Sequence, residues 1–171
     1  MRDTDITIDV LVIGCGIAGA SAALEAAKAG LRVAVVTQSA HPEDSNTYHA
    51  QGGIVSQGPR DDPKLLKDDI ITSGDGVNDP EAVDILVGEG RELVEAILVR
   101  ELKIPFSRSS PDKLDYAQEA GHSRRRILHV DDATGRTIEE RFLAALGAHA
   151  NVTLFTAHTA VDLLTVPHHS K

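Results

Sequence analysis

The chain has 171 residues, with 26 acidic side chains against 17 basic ones and a formal net charge of −9. That length is about one domain's worth, and the acidic balance excludes a general nucleic-acid binder, which needs a basic face. Hydrophobic residues make up 42% and aromatics only 3%, which suits an α/β core of small side chains, and the single cysteine, Cys15, excludes an intrachain disulfide and makes a reducing cytoplasm the simplest setting.

Met1–Asp9 is charged and polar and carries no signal-peptide pattern, and no apolar run reaches the length of a membrane span. Ile6–Ile13 reads as a strand that runs straight into Gly14-x-Gly16-x-x-Gly19. An alanine-rich helix is predicted over Ala18–Ala29, with Gly30 as its C-cap, and Arg32–Thr37 supplies a second strand. Gln38–Lys64 is a long connection rich in Ser, Asn, Gly, Pro and Asp, and loops of that length are usually functional or disordered. Pro63–Ser73 reads as a short amphipathic helix. Asp79 is placed as an N-cap with Pro80 at the first helical position, opening a helix to about Lys103 that Pro105 ends. Val83, Leu86, Val87, Leu93, Val94, Ile97, Leu98 and Leu102 recur in it at helical spacing and are expected to face the core. Ser107–Gly121 reads as irregular, Ile127–Val130 as a short strand and Asp132–Gly135 as a turn. Thr137–His149 is a predicted helix with Ile138, Phe142, Leu143 and Leu146 on one face. Val152–Thr156 and Ala160–Val166 are predicted strands.

The strand–glycine loop–helix–strand opening is a βαβ unit with a dinucleotide fingerprint in its first turn. Gly14 permits the tight turn, Gly16 admits a pyrophosphate close to the backbone, and Gly19 lets helix and strand pack closely. The phosphates would then meet the N–H groups and positive dipole end of the helix. A second segment, Ser45 to Gly53, ends in Ala50-Gln51-Gly52-Gly53. Adjacent glycines let backbone lie close to a flat ligand; a plain surface loop is the alternative. A third segment packs a carboxylate, two imidazoles and three guanidiniums into the eleven residues Glu119–His129. Such a cluster suits a dicarboxylate, which Arg grips bidentately. Alternation keeps Arg124, Arg125 and Arg126 from all facing one site, so at least one is expected to be solvated or salt-bridged. Glu119 is a stronger functional candidate than either His.

The runs VLVIGCGIAGASAAL, SNTYHAQGGI and EAGHSRRRILHVDDATGRTIEERFLAAL together resemble the succinate dehydrogenase/fumarate reductase flavoprotein family, over essentially all of the chain to about Leu164. The resemblance implies an α/β, Rossmann-like FAD-binding domain over residues 1–171, incomplete at its C-terminus. Cys15, Gly16, Ile17 and Ala18, inside the Gly14–Gly19 fingerprint, match the family's pyrophosphate loop. Gln38 falls at the adenosine end, where the family often carries Lys. Asn46, Thr47, Tyr48, His49, Ala50, Gln51, Gly52 and Gly53 match the stretch lining the flavin, and Thr159 and Ala160 match a later backbone contact to the cofactor. Membrane-bound relatives carry a covalently flavin-bonded His where this chain has Asn46. An amide cannot make that bond, so the resemblance implies non-covalent FAD, and no metal.

Within the family, the likeness is to the branch that acts on L-aspartate. Glu119 matches a residue proposed to recognise the substrate's amino group, and a carboxylate there suits an ammonium that succinate lacks; Ala120 stands in place of the usual Gly. The resemblance implies oxidation of L-aspartate to iminoaspartate with oxygen or fumarate as electron acceptor, the first step of de novo NAD biosynthesis, with quinolinate synthase as a pathway partner. Family members are longer, so the chain reads as an N-terminal portion without the capping domain and is expected to be inactive alone. A soluble fumarate reductase or succinate dehydrogenase flavoprotein, and a non-catalytic FAD-binding module, are the alternatives.

Overall fold

The computed structural model describes residues 6–164. In chain order its elements are β1 (Val10–Ile13), α1 (Ile17–Lys28), β2 (Val33–Val36), α2 (Asn46–His49), β3 (Ile54–Val55), α3 (Pro63–Gly74), α4 (Pro80–Leu93), a π-helix (Val94–Glu101), β4 (Arg108–Ser110), β5 (Lys113–Leu114), β6 (Ile127–Leu128), α5 (Thr134–Gly147) and β7 (Val152–Phe155). Contacts divide the chain into two compact units, Met1–His49 with Glu139–Lys171, and Ala50–Ile138.

The first unit holds a three-stranded parallel sheet in the order β1-β2-β7. Val10 pairs with Val33 and Ile13 with Val36, and on the other side Val33 pairs with Val152 and Val36 with Phe155. A parallel sheet's central strand is buried on both faces, and β2 is an unbroken valine–alanine run of which Val33, Ala34 and Val35 are buried. α1 returns the chain between β1 and β2 and buries Ala20, Ala23, Leu24 and Ala27. Small residues let its axis approach the sheet, and burying Leu24 alone stabilises by about 2 kcal/mol. Gly30, at φ +82°, ends the helix, and its N–H donates to the Ala27 carbonyl at 2.9 Å. The Asn151 amide then donates to the carbonyls of Ala27 and Leu31 at 2.9 and 2.7 Å, tying the entry of β7 to the end of α1. Asp9 and Arg32 form a bidentate pair at 3.0 and 2.8 Å. Arg32's hydrogen bonds hold the Asp9 carboxyl down at about 2. Leu11, Ile13 and Leu154 stand exposed on the sheet.

In the second unit, β3 and β6 pair antiparallel, Ile54 with Leu128 and Val55 with Ile127. α3 and α4 enclose a small core of Leu66, Val83 and Val87, with Val55, Ile70 and Ile71 packed against it. Both helices start as their sequences predict. The Asp62 side chain accepts from the Lys64 N–H at 2.9 Å, and the Asp79 side chain accepts from the Glu81 and Ala82 N–H groups at 2.9 and 3.3 Å, each ahead of a proline at the first helical position.

Several expectations shift. The long Gln38–Lys64 connection contains α2 and β3. The helix from Pro80 changes to i→i+5 bonding at Val94, as in Leu102 N–H to Ile97 carbonyl at 2.8 Å. Leu86 and Leu93, both in the α-helical part Pro80–Leu93 ahead of that change, are exposed rather than in the core. Ser107–Gly121 contains a β4–β5 hairpin. The strand expected over Ile127–Val130 is confined to Ile127–Leu128, and the Asp132–Gly135 turn already opens α5 at Thr134, whose hydroxyl accepts from the Val130 N–H at 2.9 Å. Residues 160–164 pair with no strand among the described residues, because the chain leaves the sheet beyond Phe155; the rest of that predicted strand, Thr165 and Val166, lies outside the described residues.

Candidate functional site

A cavity of about 430 Å³ opens at the carboxyl end of β1 and β2 in the first unit, the end at which α/β sheets place their ligands. The glycine loop forms one wall. Gly14 takes φ +98°, and its N–H donates to the Val36 carbonyl at 2.8 Å, so the loop turns sharply as soon as β1 ends. A Cβ on Gly19 would run into the Gly14 carbonyl, which makes Gly19 the close-packing glycine. A Cβ on Gly16 would lie 3.2 Å from Thr47 Oγ1 and 3.7 Å from Ser45 Cβ, so Gly16 admits the Ser45–Thr47 segment as the facing wall.

Helix geometry leaves the N–H groups of the first turn of α1 without i−4 acceptors. Gly16, the N-cap, has no side chain to cap them. Thr47, thirty positions away, supplies one cap: its Oγ1 accepts from the Ile17 N–H at 3.0 Å. Ala18 and Gly19 complete the same first turn, and helix starts of this kind favour anions. The third wall comes from the chain beyond β7. Thr37 N–H donates to the Phe155 carbonyl at 2.9 Å and His158 N–H to the Thr37 carbonyl at 3.0 Å, and this carries Thr159 and Ala160 to the cavity beside Gln38. Among the predicted cofactor residues, Gly14, Cys15, Gly16, Gln38, Asn46, Thr47, Thr159 and Ala160 thus line one cavity. Cys15 takes part through its backbone, since its buried thiol donates to the Pro42 carbonyl at 2.8 Å. Tyr48 and His49 lie in α2, where the Tyr48 N–H donates to Ser45 Oγ at 3.1 Å and the His49 ring contacts Asp44 at 3.2 Å. His158 and Ser45 also line the cavity; Ser45 opens the second sequence segment, whereas His158 carried no motif that would have marked it.

In the second unit, the Ala50–Gly53 run meets Glu119. A Cβ on Gly52 would sit 2.8 and 3.2 Å from the two Glu119 carboxylate oxygens, so the bare backbone of Gly52 makes room for that carboxylate. Gly53, at φ +139°, lies against Ile127 and the Leu128 carbonyl. Glu119 is exposed. The structure therefore joins the second sequence segment to the third.

The arginines divide as alternation requires. Arg126 is fully buried and bidentate on Asp61 at 2.7 and 2.9 Å, with its remaining terminal nitrogen 2.5 Å from Asp69. Burial works to lower its pKa, but the hydrogen bonds it donates to Asp61 and Asp69 outweigh it and leave the guanidinium held above its ordinary value. The Ser123 N–H at 2.8 Å, then its hydroxyl and Arg126, hold the Asp69 carboxyl below its ordinary range. Arg125 donates to the Tyr116 carbonyl at 2.6 Å and faces Asp115 at 3.7 Å. Arg126 thus holds the second unit together and is not free to grip a dicarboxylate, whereas Arg125 is tethered to Tyr116 with its side chain largely exposed. Arg124 is exposed. Among the described residues, no group of three or more His, Cys, Asp or Glu is placed to hold a metal ion, and no helix is long and apolar enough to cross a membrane.

Sequence reasoning passed over Glu139. It lies on α5 in the first unit, fully buried, and neither carboxylate oxygen has a hydrogen-bond partner within 3.5 Å. Burial pushes its carboxyl up to about 7, with the Ser45 hydroxyl acting weakly the other way. The available signal was its position on the apolar stripe, three residues before Phe142 and seven before Leu146.

The sequence profile of the FAD binding domain family matches residues 9–169. An L-aspartate oxidase of Halobacterium salinarum is 52% identical over 159 residues, covering 93% of this chain and 30% of that protein. The chloroplastic L-aspartate oxidase 2-b of Nicotiana tabacum is 41% identical over 167 residues, 96% of this chain and 25% of its own length. The chain therefore spans between a quarter and a third of these relatives. Among solved structures, the apo Sdh1 complex of Mycobacterium smegmatis superposes with a TM-score of 0.78 at 26% identity, over 88% of this chain and 27% of that one. The parallel sheet, the glycine loop and the profile match lead to one conclusion: the chain belongs to the FAD binding domain family.

Proposed function

We propose that this chain is the cofactor-holding part of an L-aspartate oxidase, which converts L-aspartate to iminoaspartate with oxygen or fumarate as electron acceptor. The cavity at the glycine loop is the observation that carries the reading. It gathers Gly14 to Gly16, Gln38, Asn46 and Thr159 from four separate stretches of sequence, and the relatives named above supply the substrate. The first turn of α1 holds the pyrophosphate, with Thr47 fixing the facing segment against it. Gln38 sits toward the adenosine end and offers an amide in place of a charge. Asn46 lines the cavity with an amide that forms no covalent link, so the FAD is bound non-covalently. FAD, when bound, supplies the hydride chemistry, and the protein's share is binding and orientation.

Glu119 recognises the ammonium group of L-aspartate, and the Gly52 backbone leaves its carboxylate the space to do so. The reaction opens de novo NAD biosynthesis, and quinolinate synthase consumes the product. This chain alone does not turn over aspartate. The test is a titration of the purified chain with FAD, read by flavin fluorescence, beside an assay for aspartate-dependent hydrogen peroxide. Saturable binding without peroxide is expected. A folded chain that binds no FAD overturns the site, and robust peroxide production overturns the division of labour.

A further inference from the structure

Glu139 is fully buried in the unit that holds the cavity, and neither of its carboxylate oxygens has a hydrogen-bond partner. Two residues that line the cavity also feel its side chain: Cys15 of the glycine loop, whose thiol burial and the Glu139 charge both raise, and Ser45 of the facing wall. Thr37, at the end of β2, acts on that thiol in the opposite sense, and Glu43 from the following connection adds to the rise. No basic side chain is bonded to either Glu139 oxygen. A charge on Glu139 would therefore stand unneutralised and shielded from water, within electrostatic reach of Cys15 in the glycine loop. Like charges in such surroundings raise one another's pKa and oppose one another's binding.

We propose that Glu139 is a proton-linked positioning residue for the cofactor, which lets the glycine loop accept the dinucleotide's negative charge when protonated and opposes it when ionised. The inference rests on the reading of this cavity as the FAD site. The linkage has a fixed sign. Bound pyrophosphate favours the protonated form, so binding takes up a proton and weakens as pH rises through the pKa of the free chain. Burial has already brought that pKa to about 7. His158 and Asp44 also line the cavity, and a neutral replacement of Glu139 leaves both in place, so any slope that the replacement removes belongs to Glu139.

The experiment is an FAD titration by flavin fluorescence at about pH 6 and about pH 8.5 with the unmodified chain, Glu139→Gln and Glu139→Met. The unmodified chain is expected to bind about tenfold more weakly at the higher pH, one unit of linked pKa change being tenfold in affinity. Both variants are expected to change less than about twofold and to bind more tightly than the unmodified chain at the higher pH. A variant that folds and keeps the full pH dependence overturns the inference while leaving the FAD site standing. Absence of FAD binding at both pH values overturns the site and the inference with it. Failure of both neutral variants to fold also overturns it, because a carboxyl that works in its protonated form tolerates a neutral replacement.

Discussion

Arg126 in the Ala50–Ile138 unit and Glu139 in the other are both fully buried, yet their surroundings are opposite. Arg126 has Asp61 on two nitrogens and Asp69 on a third. Glu139 has no partner on either oxygen. A buried charge survives by being paired or by being neutralised, and the two units use one solution each. Pairing fixes a side chain permanently, so Arg126 is a strut. Neutralisation by a proton is reversible within the physiological range, so Glu139 is left able to respond.

Breaking the strut gives the largest expected effect. Arg126→Met leaves Asp61 and Asp69 without their counter-charge and is expected to cost about 3–5 kcal/mol, read as a lower midpoint in urea unfolding. A loss below about 1 kcal/mol would show that water relieves the orphaned carboxylates and that the contrast is weaker than drawn.

Glu139 is expected to behave in a pH-dependent way. Its folded pKa, about 7, lies above its ordinary value of 4.5, so the folded state holds the proton more tightly. The stability it contributes is full below about pH 4.5 and is lost as pH rises through about 7. Glu139→Gln should accordingly stabilise the chain by about 2–3 kcal/mol at pH above about 8 and by much less near pH 5. Thermal melts across that range check it, and a benefit that does not vary with pH would mean that packing, not ionisation, is what the change alters.

The smallest effect sharpens the comparison by lying away from both buried groups. Asp79→Ala removes the cap on the first turn of α4 and is expected to cost about 1 kcal/mol at neutral pH. Hydrogen exchange should report it as faster exchange at Glu81 and Ala82 and no change in the parallel sheet.

These contrasts also explain what the sequence could and could not disclose. Residues 10–36 follow local rules, with a valine-rich strand, a glycine turn and an alanine face, so α1 and β2 were legible to within a residue, and β1 at its end, Ile13, though it starts four residues later than the expected Ile6. Pro63 and Pro80 fixed their helix starts for the same reason, each following an Asp whose side chain reaches forward to the first-turn N–H groups. Thr47 capping α1 from thirty positions away was not legible, because nothing local records a contact across that separation. Which of the three arginines would be salt-bridged was not legible, because Asp61 and Asp69, the partners of Arg126, lie more than fifty positions upstream. Glu139 was passed over because a charged residue in an acidic chain reads as solvated surface until its helix face is compared with Phe142 and Leu146.

The π-helix at Val94–Glu101 bears on how this chain should be aligned with others. Bonding from i to i+5 fits more residues into each turn than an α-helix does, so the segment stores a small excess of chain within a fixed span. A relative that is purely α-helical there would need fewer residues to join Leu93 to Pro105. A one-residue gap in this stretch is therefore an economical place for length variation, and an alignment that forces the helix to run without one would push its error downstream into the hairpin and the Glu119 segment.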